Sequence, residues 1–160
     1  MIAFRDEIRP ADLETIREIV LSTGFFSAEE VAVAVELADE RLRRGADSGY
    51  HFLFAEAGGE VLGYSCFGPI PLTRSSFDLY WIVVRGSRRG GGVGRRLLEA
   101  TERGATALGA TALYAETSGR AQYAPTRGFY LGSGYGQAAR FADFYAPGDD
   151  KVVLVKSLTP

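Results

Sequence analysis

Trp81-Ile82-Val83-Val84-Arg85-Gly86-Ser87-Arg88-Arg89-Gly90-Gly91-Gly92-Val93-Gly94-Arg95-Arg96-Leu97-Leu98 is the stretch on which the fold of this chain turns. A run of aromatic and β-branched residues, typical of a strand, enters it. Glycines follow, and a helix leaves with Val93, Leu97, Ala100, Gly104 and Leu108 on one face. A helix N-terminus presents unpaired N–H groups and a partial positive charge. Glycines let backbone approach an anion closely. Together these make a phosphate cradle, and Arg85, Arg88, Arg89, Arg95 and Arg96 add full charges. Glycines alone fit a tight turn equally well; the strand-loop-helix context and the arginines favour an anion site.

Working outward, elements alternate between strand and helix, which favours an α/β or α+β domain. Ile2 to Ile8 reads as a first strand, and Pro10 suits the first turn of a helix that ends at Thr23-Gly24. Ser27 and Glu30 have capping-box spacing ahead of a second helix ending near Gly45. Tyr50–Ala57 and Val61–Phe67 form a hairpin through Gly58-Gly59, and Phe77–Val84 is a fourth strand. The third helix stops at Gly109. Thr111–Thr117 is a fifth strand, and Ala124–Leu131 a short helix with Pro125 in its first turn. Gly134–Tyr145 and Lys151–Leu158 close the chain as a hairpin, with Pro147-Gly148-Asp149-Asp150 as its turn. The order is β-α-α-β-β-β-α-β-α-β-β, in one domain spanning residues 1–160.

With 160 residues, 46% hydrophobic and 24% charged, the chain can build a sizeable core without staples. Its net charge of −2 argues against a broad nucleic-acid footprint, which needs a basic excess. Cys66 is the only cysteine, so no intrachain disulfide forms; a buried apolar filler is its plain role. His51 is single and lacks neighbours with metal-ligand spacing, so no metal is expected. The N-terminus lacks a signal-peptide pattern, and no apolar run approaches the ~20 residues that span a bilayer. A cytoplasmic protein without membrane partners is the default expectation.

Two nucleotide fingerprints fail on the quoted stretch. A Walker loop needs a Gly-Lys pair, which is absent. A Rossmann turn follows the first strand of a βαβ unit, whereas Gly90, Gly92 and Gly94 follow a strand deep in a largely antiparallel order. The stretch resembles instead the GNAT superfamily of N-acetyltransferases, whose Arg/Gln-x-x-Gly-x-Gly/Ala signature is matched by Arg89, Gly92 and Gly94. A second block, Ala124-Pro125-Thr126-Arg127-Gly128-Phe129-Tyr130, looks like the family's short helix ending in Phe-Tyr. The element order fits too. The sequence departs from the family at Tyr123, where many members carry an asparagine that helps hold the pantetheine arm.

The resemblance implies a mixed, mostly antiparallel central sheet flanked by helices. It implies an N-acetyltransferase that moves an acetyl group from acetyl-CoA to a primary amine of a small molecule or peptide by direct attack. A homodimer is compatible with it. Arg89, Gly90, Gly91, Gly92, Val93, Gly94 and Arg95 would hold the diphosphate. The backbone of Ile82, Val83 and Val84 would hold the pantetheine arm and stabilise the oxyanion. Tyr130 matches the general acid, or is a core tyrosine. Asp78 and Glu116 are candidate bases, or salt-bridged carboxylates. Phe25-Phe26 either borders the acceptor site or packs as a staple. Tyr80, Trp81 and Tyr123 either line the acceptor channel or belong to the core. The alternative to an enzyme is a non-catalytic acetyl-CoA-binding sensor or scaffold. A nucleic-acid binder using the arginines is a third reading, disfavoured by the acidic balance.

Overall fold

A computed structural model describes residues 1–158, leaving Thr159 and Pro160 of the expected domain outside the described residues. Seven strands form one sheet in the order β1-β2-β3-β4-β5-β7-β6. They are β1 (Ala3–Arg5), β2 (His51–Ala57), β3 (Glu60–Pro69), β4 (Ser76–Val84), β5 (Ala112–Ser118), β6 (Gly136–Ala146) and β7 (Asp149–Ser157). The helices are α1 (Asp12–Ser22), α2 (Ala28–Arg44), α3 (Val93–Ala107) and α4 (Ala124–Gly132). Every neighbouring pair is antiparallel except β4 and β5, which α3 connects as a crossover. The mixed, mostly antiparallel sheet and the expected element order are therefore present.

Two cores form, one on each face of the sheet. Ile16, Ile19 and Val20 of α1 and Val31, Ala34 and Ala38 of α2 pack on Phe52, Phe54, Tyr64 and Val83. Cys66 is fully buried there as an apolar filler. On the other face, Leu97, Leu98 and Ala105 of α3 and Tyr130 of α4 pack on Leu53, Phe77, Leu79 and Leu113. Leu97 and Leu98 are almost wholly removed from water, each stabilising by roughly 1.5–3 kcal/mol. A buried polar link beside this core is satisfied: the Ser65 and Thr101 hydroxyls meet at 2.7 Å, and Thr101 donates to the Leu97 carbonyl.

The capping box on α2 forms: Glu30 N–H donates to Ser27 Oγ, and Ser27 N–H donates to the Glu30 carboxylate. Other boundaries shift for identifiable reasons. The first strand spans only Ala3–Arg5, not Ile2–Ile8, because the chain beyond it is taken up by Asp12. That buried carboxylate accepts two bonds from Arg5 and one from the Arg9 N–H, at 2.7–2.9 Å. Pro10 lies before α1 rather than in its first turn. Asp149 and Asp150, expected in the last turn, begin β7. Asp150 holds Arg140 and the Asp143 N–H of β6, so the turn proper is Pro147-Gly148. Among the described residues no helix is long and apolar enough to cross a membrane.

Candidate active site

The site is built on a split in the sheet. The β4–β5 ladder pairs Ser76 through Leu79 with Ala112 through Ala115 and goes no further. Beyond it β4 stays paired with β3 and β5 with β7, so the two strands part and the β5-facing edge of β4 lacks a ladder partner. The parting coincides with a bulge. Cys66 pairs with Trp81 and Phe67 with Leu79, leaving Tyr80 as one extra residue in β4. One extra residue inverts side-chain parity. Phe77 and Leu79 face α3 before the bulge; Ile82 and Val84 face it afterwards, while Trp81 and Val83 face α1 and α2.

A cleft of about 900 Å³ opens where the strands part. At one end stand the glycine loop and α3. Gly92 caps α3 in the left-handed conformation (φ 80°, ψ 5°) and no side chain caps the helix. The first bond of this helix turn runs from Arg96 N–H to the Gly92 carbonyl, so the preceding N–H groups have no partner within the helix. The loop is anchored at Gly86, whose N–H donates to Ser22 Oγ at 2.9 Å. A Cβ on Gly86 would stand 2.4 Å from the Ser22 carbonyl oxygen, so only glycine fits this crossing.

The five arginines divide by function. Arg85 and Arg88 reach Glu60 on the β2–β3 hairpin at 3.4 and 2.8 Å, and Arg85 also donates to the Val61 carbonyl. Both pin the loop, and Arg88 also lines the cleft. The Arg88 guanidinium holds the Glu60 carboxyl below its ordinary range. Arg95 pairs loosely with Glu99 at 3.4 Å. Arg89 makes no ion pair among the described residues, and with Arg95 it lines the cleft. Arg96 does not line it.

Of the other expected donor-site residues, Ile82, Val83, Val84, Gly90, Gly92, Val93 and Gly94 all line the cleft. Gly91 is exposed and does not. Tyr130 lines it from α4 and is 6% exposed; its ring meets Phe129 and Tyr135, each at 5.4 Å between centroids. Burial pushes its hydroxyl well above the ordinary tyrosine value. Glu116 lines the cleft from β5 and pairs with Lys151 of β7 at 3.2 Å.

Asp78 stands apart. It pairs in register with Tyr114, two residues before Glu116, and so projects from the same sheet face, but it does not line the cleft. It is half-buried, and burial, with the Glu116 charge behind it, raises its carboxyl above the ordinary value while Lys151 opposes that. Burial likewise pushes the Tyr80 hydroxyl up to about 12.

Another part of the cleft wall is aromatic. Phe25, Phe26, Tyr80, Trp81 and Tyr123 all line it. Sequence reasoning misses two further walls, Tyr145 of β6 and Asp149 of β7, which reach the cleft only because the last hairpin folds back beside β5. It also misses Ser118, whose hydroxyl donates to Asp149 and accepts from Arg120 N–H. His51 lies off the site, half-buried beside Phe67. Among the described residues no three metal-ligating side chains come together.

These features define the architecture first: a mixed α/β fold whose cleft lies within the plane of its own sheet. The sequence pattern described as the acetyltransferase (GNAT) family matches residues 13–135. The chain belongs to the GNAT acetyltransferase family.

A protein from Desulfovibrio desulfuricans assigned to the acetyltransferases of that family is 44% identical. Its crystal structure superposes with a TM-score of 0.97 over 99% of this chain and 100% of that one. The ribosomal-protein-S18-alanine N-acetyltransferase of Escherichia coli shares the fold at 18% identity, with a TM-score of 0.78 over 100% and 96% of the two chains. So does yncA of Salmonella typhimurium, solved with acetyl-CoA, at 20% identity and a TM-score of 0.76 over 100% and 95%. A search of curated proteins gives no significant match.

Proposed function

We propose that this protein transfers an acetyl group from acetyl-CoA to a primary amine of a small molecule or peptide. One observation carries the reading. The unpartnered edge of β4, the uncapped N-terminus of α3 and Tyr130 of α4 all border a single cleft. Residues present there fit the donor. Unpaired N–H groups and Arg89 and Arg95 suit a diphosphate, with Gly90, Gly91 and Gly92 shaping the loop around it. The backbone groups on the β5-facing edge of the Ile82, Val83 and Val84 segment, whose other edge pairs with β3, suit the amides of a pantetheine arm and offer an N–H to a developing oxyanion.

When bound, the thioester supplies an activated acyl carbon. The C–N bond forms as the C–S bond breaks, and two protons must move. Tyr130, kept protonated by burial, gives its proton to the departing sulfur. Glu116, oriented by Lys151, takes the proton the amine must lose, directly or through water. Asp78 stands behind Glu116 on the same face and can receive that proton in turn. An amine needs this help because a free lysine amine titrates near ~10.4 and an α-amine near ~7.7–8.0.

Free-thiol release from acetyl-CoA, followed with a panel of primary amines, tests the reading. Amine-dependent release with acetylated product is the expected result. Tight acetyl-CoA binding without release for any amine would favour the sensor or scaffold instead.

A further inference from the structure

Four rings cross the acceptor end of the cleft in an unbroken edge-to-face series. Tyr123 meets Phe25 at 4.9 Å, Phe25 meets Phe26 at 5.6 Å, and Phe26 meets Trp81 at 5.2 Å between centroids. They come from three separate parts of the chain: the loop after α1, strand β4 and the turn before α4. Phe26 and Trp81 also pack against the α1–α2 core, and the series runs from that core through Phe25 to Tyr123 ahead of α4. Such rings favour a flat apolar partner that adds one more edge or face.

The carboxylates at this end are already engaged. Glu116 is held by Lys151 at 3.2 Å, and Asp149 by Arg120 at 3.5 Å and by the Ser118 hydroxyl. Glu30 accepts the Ser27 N–H at 3.0 Å. The Arg120 guanidinium also lies 5.7 Å from the Tyr123 ring centroid, so a cation already sits at that ring. Of these three carboxylates Glu116 and Asp149 have cationic partners and Glu30 does not, while Arg88, Arg89, Arg95 and Arg120 outnumber them on the cleft walls, so the cleft is not built to neutralise a polycation.

We propose that the acceptor is a primary amine borne on an aromatic or similarly flat apolar body with no second positive charge. Its body lies along Phe25, Phe26, Trp81 and Tyr123, and its nitrogen points toward Glu116. This rests on the transferase reading above and narrows it.

The test measures kcat/KM for thiol release at saturating acetyl-CoA with 2-phenylethylamine, n-butylamine, spermidine, kanamycin and an alanyl peptide. The expected result is a preference of roughly tenfold or more for 2-phenylethylamine over each of the others. In Phe25→Ala the ratio of 2-phenylethylamine to n-butylamine should fall, with acetyl-CoA affinity retained. Preference for spermidine, kanamycin or the peptide, or equal losses on both monoamines in Phe25→Ala, would overturn the inference and leave the transferase reading standing. Absence of thiol release with every one of these amines would overturn both.

Discussion

Gly94 in the first turn of α3 packs directly under the Phe129 ring of α4: a Cβ built on Gly94 would stand 3.5 Å from Phe129 Cε1 and from Val84 Cγ2. This contact couples the glycine loop to the helix that carries Tyr130. A methyl group at that distance makes an ordinary van der Waals contact, so Gly94→Ala should fold and bind donor. Gly94→Val would push its branched carbons into Phe129 and Val84. It should lose about 1–3 kcal/mol in chemical denaturation and lose turnover as well. Native stability in Gly94→Val would show that α3 and α4 are not in contact.

Arg89 lines the cleft without an ion pair, whereas Arg88 is engaged by Glu60 at 2.8 Å. Arg89→Ala should weaken acetyl-CoA binding by roughly ten- to a hundredfold in calorimetry. It should also flatten the salt dependence of binding. Unchanged affinity would place the diphosphate elsewhere.

Tyr130→Phe removes the proposed acid without changing the ring that packs in the core. Turnover should fall by roughly 10²-fold or more while the acetyl-CoA Kd stays nearly constant. Burial raises the Tyr130 hydroxyl above its ordinary value. The native pH–rate profile should therefore rise as the amine and base lose protons and hold its plateau to at least about pH 10. Equal turnover in Tyr130→Phe, or a native decline beginning well below that pH, contradicts the assignment.

Asp78 gives a stability prediction with a definite sign. Its folded carboxyl lies above the ordinary value, chiefly through burial and then through Glu116. The folded state thus holds this proton more tightly than the unfolded state. The resulting stabilisation is fully present below about pH 3.9, the unfolded value, and is lost as pH rises through the folded value. Asp78→Asn should melt above the native protein near neutral pH, and the gap should close as the solution is acidified. A gap of the opposite sign would show that the carboxylate is stabilised where it sits, and one independent of pH would show that folding leaves its proton affinity unchanged.

The helices and the order of elements along the chain are legible in the sequence because each has its own periodicity and punctuation. Ser27 and Glu30 announce α2, and the spacing of Val93, Leu97 and Ala100 announces the buried face of α3. The glycine loop is legible for the same local reason. What is not local is not legible. Phe77 to Val84 reads as one continuous strand; the bulge at Tyr80 exists only in its register against β3, and the cleft follows from it. Arg85 and Arg88 read as anion ligands until the β2–β3 hairpin brings Glu60 beside them. Asp78 and Glu116 read as equivalent carboxylates until β4 and β5 part between them and leave only Glu116 on the cleft. Tyr145 and Asp149 carry no sequence signal of a site at all.

The most direct test of the central claim is a crystal structure of the protein with coenzyme A. The account predicts the diphosphate within hydrogen-bond distance of the N–H groups at the start of α3 and of Arg89. It predicts the pantetheine arm between β4 and β5 along Ile82 to Val84, with the sulfur beside the Tyr130 hydroxyl. A diphosphate bound away from Gly92 to Arg95, or a sulfur remote from Tyr130, would contradict it.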